Sequence, residues 1–164
     1  MIDHREKGIE DNAEVEDFFA SDLVIFNKLT INDWVKLIKL CDRQFYISKS
    51  KILTIGQINT AIYFLVEGHV RIERRASDTT TVLARLSGSS VFGEMSFLDG
   101  DIVSADVVAE GTVELLRLGK DDLDILVESD KMFGLRFYHS LAITLSQRIR
   151  VTNTKVGNSK IGTI

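Results

Sequence analysis

Gly88-Ser89-Ser90-Val91-Phe92-Gly93-Glu94-Met95-Ser96-Phe97-Leu98-Asp99-Gly100 interrupts a region otherwise patterned for β-strands, with a glycine at each end and one in the middle. The spacing predicts a loop that opens a single turn of helix. Glu94 then stands in the first turn, where a carboxylate favours the helix dipole, and Gly100 supplies the left-handed residue that ends the turn. Gly88 and Gly93 are spaced as in a phosphate-cradling P-loop, but that motif follows its second glycine with Lys and Ser or Thr, whereas Glu94 and Met95 stand here. On spacing alone the segment is a capped helical turn.

On either side of it, from residue 43 to 118, short β-rich runs alternate with turn residues and point to a compact all-β unit. Ala61-Ile62-Tyr63-Phe64-Leu65-Val66 reads as a strand buried on both faces. Glu67-Gly68 reads as a turn into a strand with Val70 and Ile72 inward and Arg71 and Glu73 outward, the two strands forming a hairpin. Ser77-Asp78 predicts another turn, and Glu110-Gly111 is expected to separate Val107-Val108-Ala109 from Thr112 to Leu116.

Helical periods flank this unit. Thr30 is an N-cap with Asp33 three residues on, followed by Trp34, Leu37, Ile38 and Cys41 at helical spacing, and Val15 to Phe26 carries apolar residues for a further short helix. After Gly119, Asp121, Asp122 and Asp124 fall in a first turn, better suited to capping than to holding a metal. Phe133, Phe137, Leu141, Leu145 and Ile149 then recur every four residues, an apolar stripe along a helix reaching Val151 or beyond. The organisation expected is a flexible acidic leader over 1–14, one domain over 15–153 (helices 15–42, β-unit 43–118, helices 121–153) and a flexible tail over 154–164.

Composition removes several classes of function. The 164 residues are 45% apolar and 27% charged, values of an ordinary globular chain. The longest run free of polar residues, Ala61 to Val66, falls far short of the ~20 a membrane span needs, and Met1 to Lys7 has no apolar stretch behind a basic start, so the expected compartment is the cytoplasm. Cys41 is the single cysteine, and His4, His69 and His139 are scattered, so neither a disulfide, a metal site nor a catalytic residue is expected. The net charge of −4 is uneven: the first 17 residues hold seven acids against two bases, while the last 34 hold six bases and no acid. A basic end suits an acidic partner, but a solvated helix face accounts for it equally.

Phe92 to Gly100, followed by Ser104-Ala105, resembles the phosphate-binding cassette of the cyclic nucleotide-binding domain family. Gly56, Tyr63 to Val70 and Leu115-Leu116-Arg117-Leu118 are similar to the family's β-roll, and Leu141 to Arg150 with Thr152-Asn153 to the long C-terminal helix of its bacterial members, so the resemblance runs from about Phe26 to Asn153. It implies an α+β fold, a catabolite activator protein-like β-roll (a double-stranded antiparallel jelly roll) with N-terminal helices and a long C-terminal helix. Transcription regulators of the family carry a helix-turn-helix beyond that helix, and about ten residues follow Asn153, so sequence-specific DNA binding is not expected.

Carried over by position, the resemblance makes Gly93 the glycine that lets backbone amides approach the cyclic phosphate, assigns those amides to Met95 and Ser96 and Glu94 to the ribose hydroxyl, with Phe92 leading in and Ser104-Ala105 after the family's phosphate-binding arginine. The arginine position holds Val103, and a Ser or Thr of the family is replaced by Asp106. A charge-assisted hydrogen bond to an anion is worth roughly 1.5–3 kcal/mol, about ten- to a hundredfold in affinity. Between Gly88 and Val107 stand four acids and no base, an uncompensated negative field unless Arg85 or a basic residue of the final helix folds over it. The expectation is therefore a non-enzymatic regulatory module with a degenerate cassette, binding a cyclic nucleotide weakly or not at all and needing no cofactor. It would act by dimerisation through Phe137, Leu141, Leu145 and Ile149 or by binding a protein partner. The alternative is a receptor for a cyclic nucleotide or other small ligand that uses the cassette in a non-standard way.

Overall fold

The computed structural model describes residues 6–7, 26–76 and 78–159, with side chains from 26 to 153. The helix expected within Val15 to Phe26 and most of the leader lie outside the described residues. In chain order the elements are β1 (Glu6–Lys7), α1 (Ile31–Ile38), β2 (Asp42–Tyr46), β3 (Lys51–Leu53), β4 (Ala61–Ala76), β5 (Thr79–Ser87), β6 (Ser90–Phe92), α2 (Glu94–Asp99), β7 (Asp106–Gly119), α3 (Lys120–Ser129) and α4 (Lys131–Ser159). The strands form one antiparallel sheet in the order β1-β2-β7-β4-β5, with β3 added on β7 and β6 on β4. The final helix, expected to reach Val151 or beyond, continues to Ser159, into the stretch expected to be a flexible tail from 154.

Two of the three expected turns are absent, because β4 and β7 each run unbroken through the glycine that marked the turn. They pair with each other from Ala61↔Gly119 to Glu73↔Asp106, and the register slips between Leu65 and His69. Gly68 and Gly111 take φ of 91° and 92°, open to glycine and strained for other residues. A Cβ on Gly68 would fall 2.3 Å from the Thr112 carbonyl oxygen, so the two strands bend together there. The glycines curl one long ribbon into a roll instead of splitting it into hairpins. Only the turn after Ala76, leading into β5, reverses the chain as expected.

Two clusters fill the molecule. Inside the roll, Leu65, Val70, Phe92, Val103, Val107 and Leu115 pack together. Between the roll and the helices, Phe26 lies 5.4 Å from Phe64 and 5.0 Å from Phe137, ring centre to ring centre, with Trp34, Phe133 and Leu141 around them. Phe137 and Leu141, expected to face a second chain, are 0% and 1% exposed within their own chain. At about 1.5–3 kcal/mol for each large apolar side chain so buried, the first half of the stripe holds α4 on its own roll. Leu145 packs at the edge of this core and only Ile149, 61% exposed, remains outside it.

Polar contacts set the angle between the helices. Thr30 and Asp33 form the expected capping box on α1. The same Asp33 carboxylate accepts a two-pronged bond from Arg136 on α4, at 2.6 and 2.7 Å. Burial acts to raise its pKa, but the Arg136 and Thr30 hydrogen bonds outweigh burial and leave it at about 2. Gly134 allows α3 and α4 to meet, since a Cβ there would lie 2.7 Å from Val127 Cγ1.

Candidate functional site

β6 ends at Phe92, and the chain turns into α2 through Gly93, whose φ of 77° no side chain adopts easily. A Cβ on Gly93 would also crowd the Ala61 carbonyl, the Tyr63 ring and Asn59 Nδ2, at 3.1–3.2 Å. The single helical turn expected from the sequence is a six-residue helix, closed by Gly100 in the left-handed conformation with its N–H donating to the Ser96 carbonyl at 3.0 Å. Asn59, which the sequence reading passed over, pins this turn to the roll. Its Nδ2 donates to the Ala61 carbonyl at 2.7 Å and to Ser96 Oγ at 3.1 Å, while its Oδ1 accepts from the Ala61 amide. The Ser96 hydroxyl is thereby committed to the scaffold.

The eight residues assigned by position come together around one cavity of about 190 Å³. Phe92, Gly93, Glu94, Met95 and Ser96 form one wall, and Val103, Ser104 and Ala105 the facing one. Leu53, Ile72 and Val107 make the interior apolar. Val103 is buried, and its backbone is tied on both sides, accepting from the Gly56 amide and donating to the Gln57 carbonyl, each at 2.8 Å. The arginine position is thus an apolar wall on a fixed loop. Met95 is more than half exposed and turns its side chain away from the core.

The electrostatics depart from the expected negative field. Glu94, with a side chain 8% exposed, pairs through Oε1 with Arg148 Nη1 at 2.5 Å. Arg148 also donates from Nη2 to the Val91 carbonyl, so a guanidinium from α4 lines the cavity. Asp106 is held by Lys51 Nζ at 2.7 Å and the Ile55 amide at 2.8 Å. Burial acts to raise its carboxyl, but these bonds prevail and keep it below the usual carboxylate range. Asp99 and Asp101 are exposed at the rim, accepting from the amides of Asp101 and Ile102, where water screens them. Two of the four acids are therefore neutralised by cations distant in the chain. Arg85 is not one of these cations, since its guanidinium turns to Glu110 at 3.3 Å.

Neither a cysteine nor a histidine among the described residues lines the cavity. Cys41 is buried elsewhere, donates to the Leu37 carbonyl, and has its thiol pushed upward by burial and by the charges of Asp42 and Asp122. Among the described residues no three His, Cys, Asp or Glu side chains stand together as metal ligands. Nor is any described helix long and apolar enough to cross a membrane.

A left-handed glycine opening a short capped helix, a buried glutamate over an apolar cavity and a roll curled at paired glycines define a β-roll with a helix-capped cavity. Residues 43–130 match the family model of the cyclic nucleotide-binding domain, and the chain belongs to that family. The cyclic AMP receptor protein of Thermus thermophilus is 33% identical over 109 residues, covering 66% of this chain and 49% of that protein. The structure superposes on the Thermus thermophilus catabolite activator protein with a TM-score of 0.70 at 28% identity, covering 82% of this chain and 62% of that one. A cyclic nucleotide-binding domain from Methylobacillus flagellatus gives a TM-score of 0.80 at 20% identity, covering 92% and 88%, and so shares the fold. The chain spans about half the length, or less, of the curated relatives it matches.

Proposed function

We propose that the chain is a non-enzymatic regulatory module that senses a small ligand in the cassette cavity and reports its occupancy through the end of α4. The observation that carries this reading is the Arg148–Glu94 pair, which links the cavity to the final helix. A ligand hydroxyl that donates to Glu94 competes with Arg148 for the same carboxylate. Once that tie is broken, the stretch beginning at Ile149 loses an anchor, since Ile149 and Val151 are themselves 61% and 57% exposed. The ligand then favours the state in which Arg148 is released, and its differential affinity sets how far the helix shifts.

The Thermus relative's name makes a cyclic nucleotide the first ligand to try, bound weakly for want of a cassette arginine. The module needs no cofactor and works in the cytoplasm. A thermal-shift panel of cyclic mononucleotides, cyclic dinucleotides and common metabolites, followed by amide exchange over residues 145–153 with any ligand found, tests it. A melting temperature raised by a ligand that leaves exchange in α4 unchanged would sink the coupling, and a panel with no positive member would sink the receptor itself.

A second reading, dimerisation or partner binding without a ligand, is favoured by one feature of α4. His139, Ala142, Ile143, Ser146 and Arg150 line an open groove on a face of α4 turned away from the core. With Phe137 and Leu141 in the core, pairing of two chains would use this face and Ile149. Sedimentation at micromolar concentration gives a dimer if so, and a monomer ends the idea.

A further inference from the structure

We propose that Arg74 is the cation that meets the anionic group of the ligand, in the role left vacant at position 103. The assignment rests on the receptor reading above. Strand alternation puts Val70 in the interior of the roll and Ile72 in the wall of the cavity, so Arg74 follows one pleat further on the same face. Arg71 and Glu73 confirm the alternation by pairing with each other on the opposite face at 2.5 Å.

The β4–β7 register, Glu73↔Asp106 at its end, brings Arg74 level with Ala105. Its Nη2 donates to the carbonyl of Ser104 at 2.9 Å, thirty residues away in the chain, and Ser104 directly follows Val103. A guanidinium is thus held against Ser104, a residue of the cavity wall next to position 103, and supported there by a backbone carbonyl.

Its other interactions leave it available. Arg71, Arg85, Arg117, Arg136, Arg148 and Lys51 each face a carboxylate, whereas no carboxylate pairs with Arg74 among the described residues. Five N–H donors sit on a guanidinium and the Ser104 carbonyl occupies one, so a phosphate can take two more in the bidentate geometry such groups favour. The ligand class this defines carries a single phosphate monoester or cyclic phosphodiester at the Ser104–Ala105 mouth and a hydroxyl toward Glu94. Because Arg74 is exposed, the attraction is screened, and affinity falls as salt rises.

Calorimetry with cyclic AMP and cyclic GMP on the wild type, Arg74→Ala, Arg74→Gln and Arg74→Ala/Val103→Arg tests the assignment. Arg74→Ala and Arg74→Gln each weaken binding about three- to fivefold, as expected of an exposed, screened cation, the second showing that loss of charge and not of the Ser104 contact is responsible. Adding Val103→Arg to Arg74→Ala recovers the affinity. A wild type that binds and an Arg74→Ala variant within twofold of it overturn the role of Arg74 and leave the receptor reading standing. A wild type that binds neither nucleotide overturns the role given to Arg74, and the receptor reading falls with it only if the wider ligand panel is negative as well.

Discussion

Arg148→Ala removes the guanidinium that joins α4 to the cassette, and the loss follows from what stays behind. Glu94 keeps a side chain 8% exposed, and its carboxylate loses the cation 2.5 Å away while the Val91 carbonyl loses its donor. Truncating one partner of a fully buried pair costs about 3–5 kcal/mol, and a hydrogen bond to a charged group is worth about 1.5–3 kcal/mol. Arg148 is 32% exposed, so water enters the gap it leaves and the lower range applies, about 2 kcal/mol. For a domain of this size that lowers the melting temperature by about 4–8 °C. Urea unfolding can be followed by the fluorescence of Trp34, which packs edge-on against Phe64 at 5.7 Å. Glu94→Gln and the double variant complete the cycle, with a coupling of about 1–2 kcal/mol expected between the two sites. Additive losses, within about 0.5 kcal/mol, would show that Arg148 and Glu94 do not act as a pair, and the proposed link between cavity and helix would go with them.

Lowering the pH weakens the α1–α4 contact through Asp33, whose folded pKa of about 2 lies below its ordinary 3.8. The stability this contributes is complete above the unfolded value and is lost as pH falls through 2. At 1.36 kcal/mol per unit it amounts to about 2 kcal/mol, and Arg136→Ala should flatten the acid limb of a urea-midpoint profile. Gly68→Ala destabilises by at least about 2 kcal/mol, since a methyl 2.3 Å from the Thr112 carbonyl adds a clash to left-handed strain, and an unchanged urea midpoint would refute the bend described for β4. Asn59→Ala leaves the Ser96 hydroxyl and the Ala61 amide without their partner, at about 1–3 kcal/mol, and amide exchange over Gly93 to Asp99 rises selectively if Asn59 is the pin.

Local signals in the sequence proved dependable where the physics is local. The Thr30–Asp33 capping box and the cassette turn between Gly93 and Gly100 depend on neighbours within a few residues, and each stands as read, while the strand from Ala61 to Val66 is buried through Leu65 and half-buried at Val66. Gly68 and Gly111 read as turns in the sequence and are bends within strands in the fold, because a glycine at positive φ serves a tight turn and a bent strand equally, and the long-range β4–β7 register separates the two. The apolar stripe on α4 is plain in the sequence, but periodicity does not say what covers a face: Phe137 packs on Phe26 of its own chain. Asn59 gave no signal because an isolated polar residue between strands acquires its role from three separate elements.

Counting charges along residues 88–107 gave a field that the folded cavity does not have, because an ion pair depends on distance in space. Lys51, Arg74 and Arg148 approach from β3, β4 and α4, between 30 and 55 positions away from their partners. Of these, only Arg148 sits where the helix leaves the roll, and that position decides its consequence. The start of α4 is already fixed by Phe133, Phe137, Leu141 and the Arg136–Asp33 fork, so the pair at Arg148 contributes most to the exposed end. A ligand at a hundred times its dissociation constant stabilises its bound state by about 2.7 kcal/mol, comparable with the ~2 kcal/mol ascribed to the pair. Two kcal/mol corresponds to about thirtyfold in population, well short of the ~10⁴ needed to carry a two-state helix from 1:99 to 99:1. The end of α4 should therefore respond to cavity occupancy in graded fashion, and an all-or-none response would require a further bistable contact beyond Arg148.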